Sequence, residues 1–265
     1  MKNFFLFCFL FTSIFSDPLD VVIPLHPKDK KNAIFVIDHL RNKIKNIGKI
    51  YIISKDRLSE KAEWIDEALL PFSVADILKE FGFKQHKRCG WYFQQLIKFY
   101  APTIIEDLSD NFLVFDGDTI PNHPMEFFTE DGKIYLDVLK DKCRAKNYYE
   151  HMNKMLPDLL QLDYKVNPVV HHMVFSKAIL EDLFEKVEQR AKEPFWKEFL
   201  RCVEIKNGKI PYMGASEYMI YYHFCKQYHG DKFVNRFVKV YNFAHDFNYQ
   251  YSPEQYDFVS QHIYL

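Results

Sequence analysis

Asp116, Gly117 and Asp118 set two carboxylates one position apart, directly after the apolar run Asn111–Phe115. Hard divalent cations take oxygen ligands, and Mg²⁺ in particular is commonly shared between one or two carboxylates and substrate phosphates. A pair of this kind could hold Mn²⁺ or Mg²⁺ against a diphosphate. The chain carries 20 Asp in 265 residues, so chance alone supplies about one or two such pairs, and the position of this one carries its meaning. It stands at the carboxyl end of a strand-like segment, where open α/β sheets bind ligands. Gly117 is expected to let the backbone turn tightly and approach a diphosphate closely. The plain alternative is an Asx-type turn closing a strand.

Other residue types could complete that chemistry. His171 and His172 fall in a strand-like segment, 169–175, whose side chains alternate faces, so at most one of them looks into a given pocket. A neutral imidazole there could complete a metal site or bond a leaving phosphate. Otherwise one histidine is packed and the other exposed. Glu217 follows Ser216 at a helix start, where the helix dipole favours a carboxylate and is expected to lower its pKa. Lys98 lies with Gln94 and Gln95 in a helical segment, 91–101, that Pro102 closes or kinks. It is either a phosphate-neutralising cation or the solvated side of an amphipathic helix.

The elements that must position these residues can be read from apolar patterning. Leu19–Pro24 and 49–54 are continuous apolar runs that suit buried parallel strands, with a helical pattern over 33–44 between them. That is one β-α-β unit, the element of an open doubly wound sheet. An irregular stretch through Trp64, Pro71 and Phe72 follows. Beyond the acidic motif, 140–160 reads as a polar helix broken at Pro157. Ser176 caps a helix to about Ala191, another helix runs from about Gly214 to Tyr228, and the Tyr-rich tail from Val240 reads as irregular chain wrapped over the domain. With no internal repeat or linker, 17–265 reads as a single domain.

Composition narrows the function. Lys+Arg 35 against Asp+Glu 36 gives a net charge of -1, without the basic stripe of a nucleic-acid binder or a polybasic patch for anionic lipid. Aromatic residues make up 17% of the chain, which serves a core first and sugar stacking second. Residues 1–16 join Lys2 to a short apolar run and end on Ser16, as a secretory signal peptide does. Removal of that segment would make the protein secreted, periplasmic or luminal, and otherwise it is cytoplasmic. No later stretch is long and apolar enough for a stable transmembrane anchor. Cys89, Cys143, Cys202 and Cys225 are widely spaced, form no CxxC pair and are expected to be unpaired.

Six segments occur in a telling order: LDVVIPLHPKD, KIYIIS, GWYFQQLIKFYA, FLVFDGDTIP, VVHHMVFSKAIL and GASEYMIYYHF. Together they resemble a family of uncharacterised glycosyltransferases of the GT-A type, the nucleotide-diphospho-sugar transferases. In that family the acidic motif is commonly Asp-Ser-Asp-Thr, so Gly117 departs from it while both carboxylates stay. The resemblance implies an α/β, Rossmann-like, mostly parallel sheet flanked by helices. It also implies a metal-dependent enzyme moving a sugar from a nucleotide-diphosphate donor to a glycan or other hydroxyl acceptor. Pro24, Leu25, His26 and Ser54 would lie near the nucleoside, Trp91, Gln95 and Lys98 near the donor, and Asp116 at the ribose or metal. Asp118 and His171 would ligate metal, while Glu217 and His172 would serve catalysis.

FLVFDGDT also resembles the haloacid-dehalogenase-type phosphatases, in which a strand delivers an Asp nucleophile and a second acid two residues on. That pattern wants Thr two residues past the second Asp, where this chain has Ile120. A non-catalytic relative that binds nucleotide or carbohydrate is the other alternative.

Overall fold

The structure, a computed structural model, describes residues 18–159, 166–243 and 255–261. Residues 1–16, with their expected signal peptide, lie outside that range. The first strand, β1 (Leu19–Pro24), is buried along its whole length, as its unbroken apolar sequence requires. Helix α1 (Lys30–Lys43) follows, and β2 (Ile47–Ser54) returns parallel to β1. A short β3 (Glu63–Asp66) adds to the outer edge of β2, also parallel. Sequence patterning misses it because an exposed edge strand has no apolar run to announce it. Helices α2 (Val74–Glu80) and α3 (Cys89–Ile104) lead into β4 (Asn111–Phe115), which crosses back to pair with the other side of β1.

Pro102 sits inside α3 rather than ending it. At the last turn it removes a single i→i−4 bond, the one Lys98 would have accepted, and the helix continues to Ile104.

The remaining elements build two small sheets and a second helical layer. Strands β5 (Thr119–Pro121) and β6 (Ile134–Val138) precede α4 (Lys146–Met155), which is shorter than the 140–160 expected. Strand β7 (His172–Ser176) pairs antiparallel with β4 and completes a sheet of order β3-β2-β1-β4-β7. Helices α5 (Lys177–Ala191), α6 (Phe195–Arg201) and α7 (Glu217–Tyr228) follow, then β8 (Phe233–Phe237), β9 (Val240–Phe243) and β10 (Phe258–Gln261). Strand β8 pairs with β6, and β10 lies between β5 and β9. Thus the tail contributes two strands where irregular chain is expected. Ser176 occupies the cap position of α5, but its side chain makes no capping bond, and its amide donates instead to Tyr221 Oη at 2.7 Å.

The α/β, Rossmann-like expectation holds: four parallel strands and one antiparallel strand, with helices packed against them. Strand order reverses direction between β1 and β4, so the carboxyl ends of these two strands flank the crevice where such sheets take ligands. Cys89, Cys143, Cys202 and Cys225, the cysteines among the described residues, are buried and free. No helix among the described residues is long and apolar enough to cross a membrane.

The start of the sheet is pinned by one carboxylate. Asp20, 6% exposed, accepts from Lys49 N at 2.7 Å and from Ser109 N at 2.9 Å, tying β1 to β2 and to the turn before β4. Removing it would strand two backbone donors. Asp20→Ala is therefore expected to lower unfolding free energy by about 2–4 kcal/mol in urea titration, and a loss below ~1 kcal/mol would refute this role.

Candidate functional site

Strand β4 ends at Phe115, and Asp116 follows at the switch point. The antiparallel pairing sets Phe115 opposite His172, and Asp116 N donates to His171 O at 2.9 Å. That brings the start of β7 to the same edge of the sheet as the acidic motif. His171 is not in the strand. It adopts a left-handed backbone, φ 67, immediately before it. This local twist aims its ring back at the motif, where Nδ1 lies 3.1 Å from Asp116 Oδ2.

The other oxygen of Asp116 meets a cation. Lys98 Nζ lies 2.5 Å from Asp116 Oδ1, 2.5 Å from Glu217 Oε1 and 3.0 Å from Tyr218 Oη. Tyr218 Oη also donates to Asp116 Oδ1 at 3.2 Å, and the ammonium lies 4.5 Å from the centre of the Tyr218 ring. Ser216 caps α7 by accepting from Met219 N, which holds Glu217 and Tyr218 at the first turn. Gln95, one turn before Lys98 on α3, accepts from Glu217 N at 3.1 Å. So α3, the end of β4, the turn before β7 and the start of α7 all deliver side chains to one buried cluster.

Electrostatics divide the carboxylates. Burial alone would raise Asp116, but the Lys98 charge and the His171 bond outweigh it and hold its carboxyl well below the usual range. Burial, then the charge of Asp116, push Asp118 up to about 6, against the pull of His171 and Lys98. Burial raises Glu217 as well, with Lys98 opposing and Asp116 adding. The expected lowering of Glu217 by the helix dipole is thus corrected: desolvation at 4% exposure is the larger effect. Lys98 is held above its ordinary value by Asp116, Glu217 and Tyr218 despite burial, and His171 is raised by Asp116 and Asp118.

Lys98 is not the solvated side of its helix. It is 2% exposed, and two carboxylates pair with its charge. Gly117 lies in the expected tight turn, which Thr119 N closes by donating to Asp116 O at 3.1 Å. Its backbone is not left-handed; the need is for space, because an added Cβ would lie 2.5 Å from Leu25 Cδ1. A serine there, as the resembling family commonly has, would require Leu25 to move.

His172 lies apart from the cluster, fully buried on the opposite face of β7. Its Nε2 is 2.8 Å from Asp137 Oδ2, and Arg236 grips the same carboxylate through Nε at 2.7 Å and Nη2 at 2.8 Å. The ring packs against Phe258, Phe115 and Phe127. The catalytic expectation for His172 is corrected to a structural one, joining the β6–β8 sheet to the central sheet.

The expected nucleoside contacts are scattered in availability. Ser54 is buried and donates its hydroxyl to Asp56 O at 2.7 Å, so it offers nothing to a nucleoside in this arrangement. The Pro24 carbonyl accepts from Gln94 Nε2, Leu25 covers Gly117, and exposed His26 accepts from Lys28 N through Nδ1. Trp91 stands half-buried at the outer end of α3.

Two contributors carry no announcing pattern in the sequence. Tyr218 follows Glu217 in sequence, and the one-residue step along a helix start gave no reason to count it. The tail was the other: Gln261 N donates to Asp118 O at 2.8 Å, and Ser260 Oγ lies 2.8 Å from Thr119 Oγ1, so β10 fixes the backbone just past the motif.

A family model described as a family of unknown function, DUF6492, matches residues 21–246. The chain belongs to that family. No curated protein matches the sequence. Among solved structures the chain is similar to mouse xyloside xylosyltransferase 1, at 9% identity and a TM-score of 0.46, covering 92% of this chain and 97% of that one. It is similar to the galactosyltransferase LgtC at 10% identity and a TM-score of 0.45, covering 92% and 87%. GlyE of Streptococcus pneumoniae TIGR4 follows at 12% identity and a TM-score of 0.37, covering 83% and 45%. Those three proteins are glycosyltransferases.

Two measurements follow from the geometry. A folded-state pKa raised above its unfolded value means the folded chain binds the Asp118 proton more tightly, so stability falls as pH rises from about 4 to about 6. Asp118→Asn is expected to flatten that part of the stability–pH curve and to gain on wild type at pH 8; identical curves would overturn the assignment. His172→Ala should cost about 2–4 kcal/mol of stability through the lost ring and the orphaned Asp137 contact, read by urea titration.

Proposed function

We propose that the protein is a nucleotide-sugar-dependent glycosyltransferase whose reacting groups meet at the Asp116–Asp118 edge of the sheet. The observation that carries this reading is the charge balance of the cluster. Asp116, Asp118 and Glu217 face Lys98 and His171, so the site stays net negative even with the imidazole protonated. A bare diphosphate would be repelled there, and a divalent cation would be welcomed.

The residues fit such a cation in part. Among the described residues no three His, Cys, Asp or Glu side chains form a ready-made metal cage. Mn²⁺ and Mg²⁺ in sites of the shared kind are held by one or two carboxylates together with substrate phosphates. Asp118, whose proton affinity the neighbouring carboxylate raises, is the ligand we assign first. Asp116 and His171 stand beside it, already bonded to each other. When bound, the cation would supply Lewis-acid stabilisation of the departing diphosphate.

The chain's own residues do the rest. The acceptor hydroxyl attacks the anomeric carbon, and the bonding pair to the sugar leaves with the nucleoside diphosphate. Glu217, whose proton affinity burial raises above that of an ordinary carboxylate, takes the hydroxyl proton. Lys98 acts through other groups: it fixes Asp116 and Glu217 in place, so it is a positioning residue rather than a phosphate clamp. The phosphatase alternative needs Asp116 as an open nucleophile, whereas Lys98 with Tyr218 engages one of its oxygens and His171 the other. Should residues 1–16 be removed as a signal, the donor must be met in a periplasm or secretory lumen.

A thermal-shift screen of nucleoside diphosphates tests the reading. UDP or GDP should raise the melting temperature only with Mn²⁺ or Mg²⁺ present, and Asp118→Asn should remove that gain. Release of nucleoside diphosphate from a sugar nucleotide should fall at least ~100-fold in Asp118→Asn and in Glu217→Gln, within the range typical of general acid–base contributions. Metal-independent stabilisation by sugar alone would instead favour a binding module.

A further inference from the structure

The loop before α7 runs alongside the first turns of α3. Tyr92 Oη donates to the Pro211 carbonyl at 3.4 Å, and further along Gln95 accepts from Glu217 N. A Cβ added to Gly214 would sit 2.1 Å from Tyr92 Oη, so only glycine lets the loop lie this close. The loop therefore holds Tyr212 and Met213 at its outer end, where they are 52% and 44% exposed. Single exposed apolar residues are ordinary, but these stand beside others. The Arg88 guanidinium lies 3.4 Å from the centre of the Tyr212 ring and 6.0 Å from that of Trp91.

The rim and the buried cluster share one face of α3. Arg88, Trp91, Gln95 and Lys98 recur at spacings of three, four and three along α3, which places them on one face. At 1.5 Å per residue, Arg88 and Lys98 stand about 15 Å apart along the axis, the span of two or three sugar rings. Between them Gln95, 2% exposed, keeps its Nε2 buried without a partner among the described residues. A buried donor in that state costs stability until an acceptor reaches it.

The chain entering α3 is also basic. Lys84, Lys87 and Arg88 fall within five residues, and none of them pairs with a carboxylate among the described residues. An aromatic face offers a surface for the C–H side of a pyranose, and an unpaired guanidinium offers two parallel donors to an anionic substituent. We propose that Tyr212, Trp91 and Met213 with Arg88 form the acceptor subsite, selective for a sugar that carries a negative charge. The inference rests on the transferase reading, since it names the acceptor class for that same site.

Ligand-observed NMR titration of the full chain tests it with three probes: methyl glucuronide, methyl glucose 6-phosphate and methyl glucoside. The wild type should bind both anionic probes at least about tenfold more tightly than the neutral one, a factor equivalent to 1.4 kcal/mol. Arg88→Gln should erase that preference, while Tyr212→Ala should weaken all three. The glucuronide and the phosphate separate a carboxylate from a phosphate as the anionic group. Equal binding of charged and neutral probes by the wild type overturns the proposal. So does a Tyr212→Ala protein that loses UDP or GDP instead, which would give the ring to the nucleobase. Retention on phosphatidylserine vesicles that Arg88→Gln abolishes, with no sugar binding, would make the rim a membrane contact. If anionic sugars bind here while no nucleoside diphosphate binds with Mn²⁺, the transferase reading fails and the rim remains as a carbohydrate site.

Discussion

A single buried ammonium joins the parts of this fold that matter for chemistry. Lys98 comes from α3, and it is held by Asp116 at the end of β4 and by Glu217 and Tyr218 at the start of α7. Taking those charges out of water costs several kcal/mol per ion, which their attraction offsets only with good geometry and full hydrogen bonding. Apolar side chains of the same volume would often be as stable or more so. Stability is therefore a poor account of the cluster. Its other property is a fixed placement of two carboxylates, and everything nearby is arranged to keep it.

The sheet supplies the frame for that placement. Because β4 crosses over to the far side of β1, the motif emerges at the switch point instead of over a closed, helix-covered edge. Because β7 is antiparallel, its beginning meets the end of β4, and the left-handed turn at His171 aims one imidazole at Asp116 while His172 goes to the other face. The tail strand then fixes Asp118 through its carbonyl. Local backbone geometry and long-range pairing agree on one arrangement.

Much of this was legible in the sequence, for identifiable reasons. Strands β1 and β4 are buried on both faces, so their apolar runs mark them to the residue, and the position of the acidic motif follows. The edge strand β3 and the small strands β5, β6 and β8 to β10 carry no such run, and their pairing depends on partners far along the chain. The separation of His171 from His172 was anticipated from strand alternation, yet it is achieved by a positive φ that no residue type announced. Lys98 was read from helical spacing as surface or phosphate contact. Its partners lie 18 and 119 residues away, beyond what periodicity can report.

The two aspartates are not equivalent, although one residue separates them. Asp116 is saturated: Lys98 and Tyr218 hold one oxygen and His171 the other, and the result is a carboxylate that stays ionised. Its charge is then the fixed field that Asp118 feels, and that field, with burial, lifts Asp118 toward neutral pH. Environments that drive neighbouring titratable groups apart are a mark of divided roles. Here one acid is spent on holding the frame, and the strain of like charge is concentrated on the other, at the partly exposed edge where an arriving cation would relieve it.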